Sequence, residues 1–138
     1  MLKENRFTNF KEFKLQYRAS ENEFSAARYH QAVDGKSPLL LIIMADTNIK
    51  FGAFVNCKTS QSNDWISDPT GLSFIFNLEH NESYRLMSSA NHRSRAVFGG
   101  YKGPQIGSGC DIYISDRCNE NTESGSNFGG SYQLPFGV

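Results

Sequence analysis

Gly107-Ser108-Gly109-Cys110-Asp111-Ile112-Tyr113-Ile114-Ser115-Asp116-Arg117-Cys118-Asn119 is the stretch on which the reading of the fold turns. From Cys110 to Ile114 the side chains alternate around β-branched and aromatic residues, the pattern of a strand with one face in a core. Glycines precede it, where the backbone needs positive φ or close approach. Asp116, Asn119 and Asn121 follow, residues that bond to nearby backbone and suit an ordered loop. A second segment, Asn127-Phe128-Gly129-Gly130-Ser131-Tyr132-Gln133-Leu134-Pro135, closes the chain as another strand. Two late strands joined by a polar, structured loop are therefore expected.

Working outward, the same period of two recurs. Leu72-Ser73-Phe74-Ile75-Phe76-Asn77-Leu78 is the clearest case, with Leu72, Phe74, Phe76 and Leu78 expected to face inward. Leu39 to Met44 is apolar on both sides and predicts a central strand covered on two faces. Asp46-Thr47-Asn48 is turn chemistry, so Ile49 to Val55 is expected as its antiparallel partner. Trp65 and Ile66 return to the core before a turn at Ser67-Asp68-Pro69-Thr70-Gly71. Shorter strands are expected at Tyr84–Met87 and Ala96–Phe98, the second after a basic loop, Asn91 to Arg95.

Nearer the start, Phe13, Leu15, Tyr17 and Ala19 alternate with polar residues and predict a half-buried strand. Ser20 and Glu23 form a capping box for a helix over Glu21–Val33, with Phe24, Ala27 and Tyr29 inward and Gly35 at its C-terminal end. Residues 1–12 read as a lead-in and 13–138 as one domain. Seven or eight close-spaced strands with one clear helix predict a mainly β fold, an antiparallel β-sandwich with a helix beside it.

Composition narrows the function. Fourteen basic and fourteen acidic side chains leave no net charge, which argues against electrostatic capture of nucleic acid or an anionic membrane. The longest apolar run is too short to span a bilayer, and no apolar segment follows the first basic residues. Three cysteines without framework spacing suit a reducing compartment, cytoplasmic or nuclear. The sequon at Asn81 is then incidental. Cys57, Cys110 and Cys118 contain no Cys-x-x-Cys pair and His30, His80 and His92 are isolated, so no metal site is expected. Residues 116–123 lack the glycine and terminal glutamate of an EF-hand. The glycines at 99, 100, 107 and 109 lack the lysine and helix of a phosphate loop and read as turn or bulge residues. No nucleophile, base and acid converge by spacing, and no cofactor is implied.

Six segments, in order, carry a family resemblance: Tyr17-Arg18-Ala19-Ser20; Phe24 to His30; Asp34-Gly35-Lys36-Ser37-Pro38; Phe51-Gly52-Ala53-Phe54; Cys110 to Asn119; and Phe128-Gly129-Gly130-Ser131-Tyr132. Together the chain resembles a TLDc domain. The resemblance implies a two-sheet β-sandwich flanked by helices, and a non-catalytic class tied to oxidative-stress resistance and to regulation of the vacuolar proton pump (V-ATPase). It implies a protein partner, a pump subunit, and recruitment to endolysosomal membranes through it.

Polar loops on a rigid scaffold are a common place for recognition. Asp116, Arg117, Asn119, Asn121, Ser126 and Asn127 are therefore the expected partner-binding residues. A second role stays open for them, that of bracing their own loop. Two other functions compete. Cys118 beside Arg117 is a conceivable peroxide-scavenging or peroxide-sensing thiolate, because a neighbouring cation lowers a thiol pKa, although Asp116 opposes the shift. The basic loop 91–95 with Lys102 offers a contact for an acidic surface or for stress-linked nucleic-acid binding, against the simpler reading of a solvated loop.

Overall fold

The computed structural model describes residues 12–109, 111–126 and 130–133. Nine short strands lie among them: β1 Leu39–Met44, β2 Lys50–Val55, β3 Trp65–Ile66, β4 Phe74–Asn77, β5 Glu82–Leu86, β6 Val97–Phe98, β7 Gln105–Ile106, β8 Ile112–Tyr113 and β9 Tyr132–Gln133. They build two antiparallel sheets, one of five strands in the order β1-β2-β4-β5-β9 and one of four in the order β3-β6-β7-β8. Helices are few: α1 Ala26–Val33, α2 Ala90–Arg93 and a 3-10 turn at Ala19–Glu21. The expected mainly β, two-sheet architecture is what the chain adopts.

The main core fills the space between the sheets. Ala53, Val55, Ile75, Leu86 and Tyr132 from the five-stranded sheet meet Val97, Ile106 and Ile112 from the other, with Tyr29 and Val33 of α1 packed on the same cluster. Alternation assigns the opposite face of the larger sheet to Leu40, Phe54, Phe74 and Phe76, which form a second cluster. Here the inward set expected for residues 72–78 is corrected. Ile75 points into the inter-sheet core, Phe74 and Phe76 into the second cluster, and Leu72 and Leu78 stay exposed. Strand β4 is buried on both faces because strands flank it on both sides and each face has its own cluster.

That double coverage was expected of β1 instead, and β1 is an edge strand. Among the described residues it pairs only with β2, and Ile42 and Met44 are 65% and 63% exposed. A run apolar on both faces reads the same at the centre or the rim of a sheet; the neighbours decide.

The strand expected over Phe13–Ala19 is absent. The chain is irregular up to Arg18, with Phe13 and Leu15 exposed, and Tyr17 is held by an edge-to-face contact with Tyr29 and a hydrogen bond from its hydroxyl to the Ser25 carbonyl. The helix also starts later than the capping box suggests. Glu23 and Phe24 adopt positive φ (59° and 54°), which breaks the path between the 3-10 turn and α1. Ser25 is the N-cap, its hydroxyl accepting from the Arg28 amide at 3.2 Å. The buried face of α1 is Ala26, Tyr29, His30 and Val33, and Gly35 closes it at φ 78° as expected. The basic loop at 91–95 is partly helical, since Ser89 caps α2 by accepting from the His92 amide. Cys110 and Asn127 to Gly129 lie outside the described residues, as do residues 1–11.

Two fully buried carboxylates hold turns in place. Asp68 receives the Thr70 and Ser73 amides and both of their hydroxyls. Burial pushes its carboxyl up, but those hydrogen bonds together outweigh burial and hold it below the usual value. A carboxylate with a depressed folded pKa contributes stability that is complete above its unfolded value of about 4 and is lost as pH falls through the folded value. Urea midpoints for the parent and for Asp68→Asn should therefore lie far apart at pH 6 and close up at pH 3. An equal gap at both pH values would show that the carboxylate is not the stabilising group.

Candidate functional site

The late loop begins where β8 ends. Tyr113 exchanges two backbone hydrogen bonds with Gly125, each 2.9 Å, so the loop leaves and returns along the edge of the smaller sheet. Between these points its own polar side chains satisfy its backbone. Asn121 is the hub: its amide nitrogen donates to the Asp116 and Arg117 carbonyls, both at 3.0 Å, and its oxygen accepts from the Ser115 hydroxyl at 2.7 Å and the Glu123 amide at 3.1 Å. The Ser115 amide donates to the Ser124 hydroxyl at 2.9 Å. An Asn at such a place mimics a backbone turn.

The loop is also pinned to α1, ninety residues earlier. Asp116 Oδ1 accepts the Ala26 amide at 2.8 Å, one of the first-turn donors that a helix leaves unpaired. The Arg117 amide donates to the Phe24 carbonyl at 2.9 Å, with Arg117 at φ 51°. These two bonds splice the loop into the irregular start of α1.

The six residues read from the sequence as partner-binding thus separate. Asp116 and Asn121 brace the loop and the helix. Arg117, Asn119 and Ser126 are exposed on it, Arg117 in a long 3.9 Å ion pair with Glu120. Asn127 lies outside the described residues.

Cys118 is half-buried, near Tyr17 and Asp116. Burial pushes its thiol up, a hydrogen bond from its own backbone pulls it part of the way back, and Asp116 adds to the rise. The expected lowering by Arg117 has no counterpart. Cys57 is more extreme, burial and then Asp68 pushing it up to about 12. A thiol with a raised pKa carries little nucleophilic thiolate near neutrality. At pH 7 the folded chain should take up iodoacetamide more slowly than the urea-unfolded chain at both thiols, at Cys57 by at least about tenfold. Equal rates, followed by peptide mass spectrometry, would put an activated thiol back in play.

Three polar residues missed in the sequence organise the interior. His30, read as isolated, is buried, with Nδ1 3.0 Å from both Asp34 carboxylate oxygens and Nε2 against the Lys102 carbonyl. Thr59 donates to the same carboxylate at 2.8 Å. Asp111 accepts three successive backbone amides from Gly130, Ser131 and Tyr132 at 3.0, 2.8 and 3.2 Å. Asp68 is the third. For Asp111 the available signal was an acid inside an apolar, glycine-flanked segment, a place where a charge survives only if hydrogen-bonded. Ser25 Oγ is occupied by the Arg28 amide and both ring nitrogens of His30 are engaged elsewhere, so the two do not form a nucleophile-base pair. Among the described residues no three His, Cys, Asp or Glu side chains are grouped to hold a metal ion, and no helix is long and apolar enough to cross a membrane.

Comparison with protein families gives a match to the TLDc domain over residues 1–136, essentially the whole chain. No curated protein matches it.

Proposed function

The chain belongs to the TLDc domain family, and from that premise we propose that it is a non-catalytic protein-interaction domain that binds and regulates the V-ATPase within the response to oxidative stress. It would act in the cytoplasm and reach endolysosomal membranes through the pump. The observation that supports this reading most is the late loop itself: exposed polar side chains at Arg117, Asn119 and Ser126 on a backbone braced by Asn121 and tied to α1 through Asp116. Such a loop meets a partner without losing much conformational entropy, because its backbone is already ordered.

The soluble sector of the pump, retained on immobilised full chain, gives the test. Arg117→Glu with Asn119→Arg should weaken retention about tenfold while leaving the urea midpoint unchanged, since neither side chain braces the fold. Retention of the sector at parental strength by that double variant would remove the loop from the interface. Failure of the parent chain to retain it would remove the pump as partner. Cells carrying Cys118→Ser should keep full peroxide resistance.

A further inference from the structure

The four-stranded sheet has one face in the core and one outside it. Ile66, Val97, Ile106 and Ile112 point inward, so alternation turns Trp65, Phe98, Gln105 and Tyr113 outward. Each of these four is half-buried, and they run as a row across the sheet. Trp65 and Phe98 meet edge to face with centroids 5.0 Å apart. Two cations lie over the row: the Arg95 guanidinium carbon is 5.7 Å from the Trp65 ring centroid, and Lys102 Nζ is 5.7 Å from that of Tyr113.

Among the described residues the charge on this face has no acidic counterpart. Both cations are exposed, and among the described residues neither has a carboxylate within 4.0 Å. Asp64 is engaged beside the row, one of its carboxylate oxygens accepting the Trp65 amide, and Lys102 interacts mainly with Tyr113, with Glu123 acting on it more weakly. A guanidinium or ammonium held over a ring keeps free N–H donors, which are pre-positioned for carboxylates. Trp, Tyr and Arg are the residues that dominate binding energy at protein interfaces, and the chain's only Trp is spent here on the outside.

We propose that the outer face of the four-stranded sheet, built on Trp65, Phe98 and Tyr113 with Arg95 and Lys102, docks an acidic segment of a partner protein that also carries an apolar side chain. Carboxylates pair with the two cations, and the apolar side chain covers the Trp65–Phe98 pair. The inference rests on the reading of this chain as a protein-binding domain and adds a second surface to it. The absence of net charge on the chain favours such local, paired recognition over general attraction to a polyanion.

Random peptides displayed on phage and selected on the immobilised full chain provide the probe, with Trp65 emission as the solution readout. The selected peptides should be rich in Asp or Glu around an aromatic or aliphatic residue, and synthetic copies should shift Trp65 emission. Copies with Gln for Glu, and the Arg95→Glu/Lys102→Glu variant, should each weaken binding about tenfold, whereas Arg18→Glu should not. Peptides without acidic enrichment, or peptides bound equally by the charge-reversed variant, would overturn the inference. So would single-stranded RNA or phosphatidylserine vesicles that shift Trp65 emission at lower concentrations than the peptides. Retention of the pump sector is measured in parallel. Peptide binding without pump retention leaves this face standing and removes the pump, and the reverse result removes this face alone.

Discussion

Asp111→Ala should be the most damaging single substitution in this chain, with an expected loss of about 3–5 kcal/mol. Asp111 has no exposed surface, and its two oxygens receive three consecutive amides from the segment that enters β9. It sits directly before β8 in the smaller sheet, whereas β9 closes the edge of the larger one. One side chain therefore joins the two layers. Removing it leaves three amide donors without their acceptor, and each such buried group costs about 1–3 kcal/mol. Ser131 and Tyr132 depend on the same placement, since their hydroxyls donate to the Arg95 and Ala96 carbonyls at 2.8 and 2.9 Å.

Against a typical domain stability of about 5–15 kcal/mol, a loss of this size leaves a chain marginal at body temperature. Urea unfolding followed by Trp65 emission measures it, and hydrogen exchange at residues 130–132 locates it. Asp111→Asn should fall between, because its oxygen still accepts while its NH2 group faces an amide donor. A cost under about 1 kcal/mol for Asp111→Ala would show that water replaces the carboxylate at no great loss.

The second large effect is expected at Gly52→Ala. A Cβ there would stand 1.8 Å from the Leu41 carbonyl oxygen and 2.7 Å from the tip of the Phe76 ring. The obstacle is backbone on one side and a fully buried aromatic on the other, so neither yields cheaply. Overpacking of this kind costs about 1–3 kcal/mol, and we expect the upper end. The strain should leave by the weakest route, which is β1, paired among the described residues with β2 alone. Amides of Leu39–Met44 should exchange faster while those of β4 and β5 keep their protection.

Gly35→Ala is the informative companion. Gly35 has φ 78° and nothing within 4 Å of the added carbon, so its cost is conformational only, about 1–2 kcal/mol. If the two substitutions cost the same, crowding at Gly52 is not what selects glycine there. The phenylalanine-glycine strand resembling the family's own would then need another explanation.

The comparison between sequence and structure is uneven along the chain, for identifiable reasons. Alternation placed β2 and β4 and separated Phe74 and Phe76 from Ile75, though not which side meets the other sheet, because side-chain period is a property of consecutive residues. The family-like segments point to the sandwich and to the TLDc family, and the family match over residues 1–136 agrees. The same patterning misplaced residues 13–19, where a period of two met no strand to pair with. It also put β1 at a sheet centre, since an apolar run carries no mark of how many neighbours it has. Within the late loop, residue type announced an ordered turn, but not that Asp116 caps a helix 90 residues away while Arg117 and Asn119 stay outside.

Local order in the chain, then, dictated the class of fold, the strand periods and the turn chemistry, because these follow from backbone geometry over a few residues. Folding in three dimensions settled which carboxylates became buried staples, which strand became the rim, and which aromatics were left facing outward beside two exposed cations. Those outcomes depend on pairings across 19 to 90 residues of chain, such as Gly130 with Asp111 and Ala26 with Asp116. Desolvation and hydrogen bonding act on what those pairings bring together, and a stretch read alone does not contain its distant partner.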